Sequence, residues 1–375
     1  MFTKETVFVL GAGASWHYGY PTGEVLVLDV LNCARRYADY CRNRVQAGVN
    51  IDDAPGFVKD GWKQGNIGDI ISRWGAQEAR ARELVSTLEE IDPLVIDYFL
   101  GWNDRLHDIG RLMIAAALLE RETGPRGSNY NRTHAARYGQ SLLAGKDHWL
   151  RFVVHQLLVG IQRPEQLADN TVTFITFNYD LSLERSLRRA LTAVGMLDGK
   201  QIDEFFSDGR IVHVYGTLAA NTVVTQDEYA ALSGSFQGAG VVHKIAAANA
   251  LIEKWYLAAQ NINVIDPHEK TKGDVVADAQ KLISKSEQIY FLGFGFDDEN
   301  LKRLGFPLGA SAPKPRRIAY TNMLDSLSVN KRAAKAFEIP ALLRSAVAVR
   351  GNVVVERSTR NVYDAIEWDL GALSE

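Results

Sequence analysis

Near the N-terminus a short apolar run, Val7–Leu10, stops at Gly11-Ala12-Gly13-Ala14-Ser15, and a polar, aromatic segment follows that closes in Gly19-Tyr20-Pro21. No other stretch constrains the fold as strongly. Glycines let a backbone turn tightly and approach a ligand closely, and the helix N-terminus that follows such a turn aims free N–H groups at an anion. The ligand expected there is a nucleotide pyrophosphate at the edge of a parallel sheet. A glycine turn alone carries little, because apolar strands also end in glycine for steric reasons; its context decides.

That context is a series of strands alternating with helices. Runs rich in branched and aromatic residues occur at Val7–Leu10, Val172–Thr176, Ile211–Tyr215, Gln288–Gly293, Arg317–Thr321 and Asn352–Glu356. They are nearly continuous in apolar character rather than alternating, as strands buried on both faces are. Helical patterns at Leu181–Leu191, Val241–Gln260, Val275–Ser286, Met323–Phe337 and Asn361–Leu370 lie among them. The expected class is α/β, a Rossmann-like doubly wound parallel sheet.

Residues 24–170 break the alternation. They hold no convincing strand, and Val27, Leu31, Ala34, Ala38, Cys41 and Val45 recur at helical spacing. Leu84–Leu100, Leu106–Leu119 and Thr133–Ile161 repeat the pattern, with a glycine- and asparagine-rich loop expected at Thr123–Arg132. The block reads as a large helical insertion between the first and second sheet strands of a single domain spanning 1–375.

Composition bounds the rest. With 42 Lys and Arg against 45 Asp and Glu the net charge is −3, which removes any whole-chain electrostatic case for nucleic acid. Arginine clusters at Arg35-Arg36, Arg42 and Arg44, and Arg80 and Arg82 leave direct nucleic-acid binding open, although such clusters are usually solvated helix faces. Two cysteines, Cys33 and Cys41, cannot form a four-thiolate zinc site and suit a reducing compartment. No apolar stretch approaches a membrane span, so a cytoplasmic protein is expected.

Further along, polar residues stand where strands end. Val172–Thr176 runs into Phe177-Asn178-Tyr179-Asp180; Asp180 is explained as a helix cap, Asn178 is not. Ile211-Val212-His213-Val214-Tyr215-Gly216 places His213 and Tyr215 two apart, on one side of a strand, and imidazole suits proton transfer near neutral pH. Gly293-Phe294-Gly295-Phe296 ends another apolar run, with Asp297 or Asp298 able to cap the next helix, and Asn322 follows Thr321. Strand ends of this kind share one ligand crevice.

Taken in order, Gly11–Ser15 with Gly19-Tyr20-Pro21, Thr176-Phe177-Asn178-Tyr179-Asp180, His213–Gly216, Gly293–Asn300 and Asn322 resemble the SIR2 (sirtuin-like) superfamily, and specifically its SIR2-like branch in bacterial antiphage defence. The resemblance implies NAD+ as the ligand. Gly11, Ala12, Gly13 and Ser15 would cradle the pyrophosphate, and Gly293, Gly295 and Asn322 would line the adenosine side. Pro21, Thr22, Tyr215, Gly216 and Phe296 complete the implied cofactor-binding set. Asn178 would hold the nicotinamide ribose or a water, Asp180 would lie near the carboxamide, and His213 would be the general base, with Tyr215 the alternative.

Tyr215 stands directly before Gly216, where sirtuin deacylases carry their base, with His213 two residues back, and two further departures are visible: no four-cysteine zinc module, and Thr22-Gly23-Glu24 where the deacylases carry Asp-Phe-Arg. They favour an NAD+ glycohydrolase acting in defence by NAD depletion, with NAD+ as substrate and no metal, over a protein deacylase. A non-catalytic NAD- or ADP-ribose-binding regulatory subunit and a nuclease subunit are the other readings. No sensor domain is recognisable, so control is expected from homo-oligomerisation or from a separately encoded HerA-type ATPase or sensor partner, with no membrane involved.

Overall fold

The computed structural model describes residues 1–46, 67–122, 149–207, 209–218, 224, 226–232, 241–264, 273–307 and 316–369. The chain divides into two compact units, one of Met1–Tyr18, Gln140–Val214 and Glu269–Glu375, the other of Gly19–Gly139 and Tyr215–His268.

The first unit is built on a sheet of seven strands: β1 (Thr6–Leu10), β2 (Val172–Thr176), β3 (Ile211–His213), β4 (Gln288–Leu292), β5 (Arg316–Thr321), β6 (Val347–Arg350) and β7 (Val353–Ser358). Their order is β3-β2-β1-β4-β5-β7-β6, and every pair is parallel except β6 with β7. The chain winds outward from β1 to β3, then returns to the other side of β1 with β4. The Rossmann-like doubly wound sheet is thus present, and its switch point, where such sheets bind ligands, falls between β1 and β4.

Both central strands are buried throughout, as continuous apolar runs require. On one face Phe8 stacks between Phe174 and Tyr290, with ring centroids 5.5 and 5.0 Å apart, over a core that takes in Trp149, Leu150, Leu187 and Phe205. A second aromatic cluster gathers Phe294, Phe296, Phe306 and Phe337 around Phe291.

Several elements differ from the sequence expectation. β3 ends at His213, and Val214 and Tyr215 form a turn, so His213 and Tyr215 do not share a strand face. Leu84–Leu100 is two helices, Ile67–Ile91 and Ile96–Gly101, because Asp92 takes φ +47° and Pro93 follows it. Met323–Phe337 opens as a single turn, Met323–Asp325, with Leu324 and Asp325 at positive φ, before the helix Leu327–Ala336. Asn361–Leu370 is a short helical turn, Val362–Asp364, followed by a π-turn, Ala365–Asp369. β6 and the helix Gly199–Ser207 were not expected. The loop Thr123–Arg132 and the first part of Thr133–Ile161 lie outside the described residues; from the latter, Leu150–Leu158 is helical.

The second unit is helical: Gly23–Gln46, Ile67–Ile91, Ile96–Gly101, Asp104–Glu122, Gln226–Leu232 and Val241–Ala259. It takes in most of the block expected over 24–170 and joins to it Tyr215–His268, whereas residues 140–170 belong to the sheet-bearing unit. Its core packs Tyr37 and Tyr229 against Trp255, and Tyr40 against Trp74. The arginines singled out by sequence mostly face acids here: Arg35 pairs with Glu89, Arg36 with Glu120, Arg42 with Asp39, and Arg82 with Glu78 and Asp39. Cys33 and Cys41 are free and buried, and burial pushes the Cys33 thiol up to about 12, so it stays protonated. Among the described residues no helix is long and apolar enough to cross a membrane.

Candidate active site

Four strand ends meet at one edge of the sheet. Pairing sets Leu10 level with Thr176 on one side and Leu292 on the other, and Thr176 level with His213. Gly11, Phe177 and Gly293 therefore leave the sheet together, beside the switch point.

The floor there is main chain alone. Gly11 N–H donates to Leu292 O at 3.0 Å, Gly13 N–H to Gly293 O at 3.1 Å, and Ala14 N–H to Gly11 O at 2.9 Å. A Cβ on Gly293, which takes φ +58°, would lie 2.3 Å from both Gly13 C and Ala14 N. One on Gly11 would lie 2.5 Å from Gly293 O. The glycines are thus required by the contact between two strand ends, and three amides of the Gly11–Ser15 turn, those of Gly11, Gly13 and Ala14, already donate to protein carbonyls. Ala12 opens the single turn Ala12–Ser15, which Trp149 pins by donating its indole N–H to Ala14 O at 2.9 Å.

Asn178 faces this floor. Its Nδ2 donates to Gly11 O at 2.9 Å and to Ser15 Oγ at 2.8 Å, while its own N–H donates to Thr176 Oγ1 at 3.1 Å. Because a carbonyl oxygen only accepts, the Gly11 contact fixes which end of the amide is nitrogen. That leaves Oδ1 as a positioned acceptor, with no protein donor on it among the described residues. Asp180 is buried, and its Oδ1 accepts from Ser182 N–H at 2.9 Å, opening the helix Ser182–Ala193. Burial raises its carboxyl pKa above the ordinary value, although hydrogen bonds from Ser182 and Ser15 oppose the rise. Asp180 is thus not the N-cap its position suggested, which is Leu181; it bonds the first helical N–H from one residue further back and neighbours Ser15.

His213 lies at the end of β3 with both ring nitrogens engaged. Nε2 contacts Glu184 Oε1, and Nδ1 stands 3.3 Å from the carbonyl oxygen of Asn178. Burial pulls the imidazole pKa down, but the hydrogen bond and charge of Glu184, the Asn178 carbonyl and the charge of Asp180 together carry it above its ordinary value. The bond arrangement is that of an imidazolium donating in both directions. It orients the Asn178 peptide, and while it stands the ring has no lone pair with which to take a proton. Glu184, the ring's partner, is the candidate residue that the sequence reading missed. Its signal was an acidic residue in the first turn of a helix, which the helix dipole explains equally well.

The remaining expected residues divide. Gly293 N–H donates to Thr321 Oγ1 at 2.8 Å, joining the ends of β4 and β5. Gly295 is exposed, and a Cβ there would meet nothing within 4 Å, so ligand room exists beside it. Phe296 is fully buried in the aromatic cluster at φ +54°, and its ring serves the core. Asp297 caps the following helix, accepting from Glu299 N–H and Asn300 N–H. Asn322 is buried and committed to its own turn: Nδ2 donates to Ser326 O and Asn330 Oδ1, and Oδ1 accepts from Ser326 N–H. Pro21, Thr22, Tyr215 and Gly216 belong to the second unit. There Thr22 O accepts from Leu26 N–H at the start of Gly23–Gln46, Tyr215 O accepts from Asn263 N–H, and Gly216, at φ +73°, bridges to Ile262.

The site residues present in the first unit suit NAD+: a positioned amide oxygen on Asn178, open space at Gly295, and a strand-end crevice at the switch point. Residues 172–338 match the family model described as the SIR2-like domain. No curated protein and no solved structure matches the chain. SIR2-like domains use NAD+, and members of the family are NAD-dependent enzymes. The match over residues 172–338 supports the SIR2-like superfamily and, in general, an NAD-related function.

Proposed function

We propose that the protein is an NAD+ glycohydrolase, converting NAD+ and water to ADP-ribose, nicotinamide and a proton. The carrying observation is the Asn178 amide, locked by Gly11 O and Ser15 Oγ with its oxygen left to accept. An uncharged acceptor of this kind can hold a ribose hydroxyl or the attacking water without competing for its proton. In the reaction the C1′–N bond breaks with its electron pair leaving on nicotinamide. The water oxygen bonds to C1′, and its proton passes to a base. His213 is that base once its Nε2 proton has gone to solvent and the freed lone pair turns from Glu184 to the water, and Asp180 lends negative charge near the developing oxocarbenium ion.

The resemblance to the defence branch of the superfamily supports a role in depleting NAD+ on infection, with a HerA-type ATPase or another separately encoded sensor, and self-association, as the means of control. Incubating the purified protein with NAD+, alone and with the product of the adjacent gene, and measuring ADP-ribose tests the activity. Undiminished turnover in Asn178→Ala would sink it. A second reading, a non-catalytic NAD or ADP-ribose sensor, is favoured by the double engagement of His213. NAD+ recovered intact after hours bound to the protein would select it.

A further inference from the structure

The second unit contains a cavity of about 320 Å³ that the proposed reaction does not use. Its wall carries Gln77 and Arg80 from the helix Ile67–Ile91, Asp108 and Arg111 from Asp104–Glu122, and Tyr256 and Gln260 at the end of Val241–Ala259. We propose that this cavity binds a small molecule through a phosphate group.

Charge is the first reason. Two guanidinium groups line the space, and the one carboxylate beside them, Asp108, is 76% exposed and reaches Arg80 only at 3.9 Å. Water screens so exposed and long a pair, leaving the site net positive. Arg111 is held in place by the helix it closes: Nη2 donates to Ala259 O at 2.7 Å and to Gln260 O at 3.1 Å. Its Nε is buried with no acceptor among the described residues. A buried donor without an acceptor is costly, so a ligand oxygen that reached it would gain the full bond.

The donor set explains the choice of phosphate. Guanidinium groups from two helices line one space, and together they suit a group with several acceptor oxygens, such as phosphate, better than a single carboxylate. Tyr37 donates its hydroxyl to Gln77 Oε1 at 3.4 Å, so the Gln77 amide keeps its NH2 as the end able to donate. Tyr256 adds a ring wall. The volume is at the small end of the roughly 300–1,000 Å³ range of ligand sites, the size of a sugar phosphate or mononucleotide.

Calorimetric titration of the full-length protein with inorganic phosphate and with AMP tests this. The expected result is binding of both probes, weakened about tenfold or more in Arg80→Gln and in Arg111→Gln, each of which removes charge-assisted bonds. Asn178→Ala should leave this binding unchanged, which separates it from the NAD+ cleft. Should Arg111→Gln fail to fold, Arg80→Gln decides alone, since that side chain is half-exposed and closes no helix. No binding of either probe, or equal binding by wild type and Arg80→Gln, overturns the proposal. AMP binding lost in Asn178→Ala would also overturn it by assigning the ligand to the other site.

Discussion

Glu184 and His213 are joined through Nε2 of the ring, and the opposite nitrogen of the same ring holds the carbonyl oxygen of Asn178. One carboxylate thereby sets the charge of an imidazole that in turn fixes the main chain of the amide at the centre of the crevice.

That linkage makes stability depend on pH in a stated direction. The folded-state pKa of His213 lies above its ordinary 6.5, so the protonated form is the one that folding favours. The stability this adds is complete below about 6.5 and is lost as pH rises through the raised folded value. Urea midpoints measured across that range should fall with pH in the wild type and lose this step in Glu184→Gln. An identical step in the variant would show that Glu184 does not hold the ring.

Asn178→Ala removes two side-chain bonds from a half-buried site. It should cost about 1–2 kcal/mol of stability, yet lower NAD+ turnover roughly 100-fold or more, as loss of a positioned polar group does. Thermal melts and ADP-ribose release on the same preparation separate the two effects. Parallel small losses in both would make Asn178 a structural residue.

Gly293→Ala forces a Cβ to within 2.3 Å of the Gly13 and Ala14 main chain at φ +58°. Left-handed strain and overpacking together should destabilise the protein by roughly 2–5 kcal/mol. Gly295→Ala meets no atom and should stay within about 0.5 kcal/mol. Chemical denaturation of the pair checks the contrast, and equal stabilities would contradict the packed floor.

Asn322→Ala should act on the fold rather than on the ligand. Its three side-chain bonds all lie within the turn and the helix that follows, so a loss of about 2–3 kcal/mol is expected. NAD+ affinity, measured by calorimetry well below the melting temperature, should be unchanged. A selective loss of affinity would return Asn322 to the adenosine side.

The sheet was legible because buried parallel strands are written as unbroken apolar runs, and Val172–Thr176 falls where the sequence put it. β6 was not: Ala346–Val349 is an apolar run too, but it is a short edge strand paired antiparallel with β7, with Val347 and Val349 exposed, outside the parallel strand–helix alternation. Asn178 could be read because a polar amide at a strand end needs a reason. Glu184 could not, because its pairing with His213 depends on the register of β2 against β3 and on the helix between them. The same limit hid the division into two units. The apolar periodicity of Val241–Ala259 is the same whether it covers a sheet or packs among helices, and only the fold shows that it does the second.

The contact of Gly11 and Gly13 with Gly293 has a consequence for how the crevice can change. Its floor is made of peptide groups bonded to one another, which neither titrate nor swing between rotamers, at a separation set by main-chain contact. Substitution cannot retune such a surface; it can only break it. Any difference in what the crevice accepts, or in the pH at which it works, has to be written in the groups that border it: Asn178, Asp180, His213 and the Glu184 that governs His213.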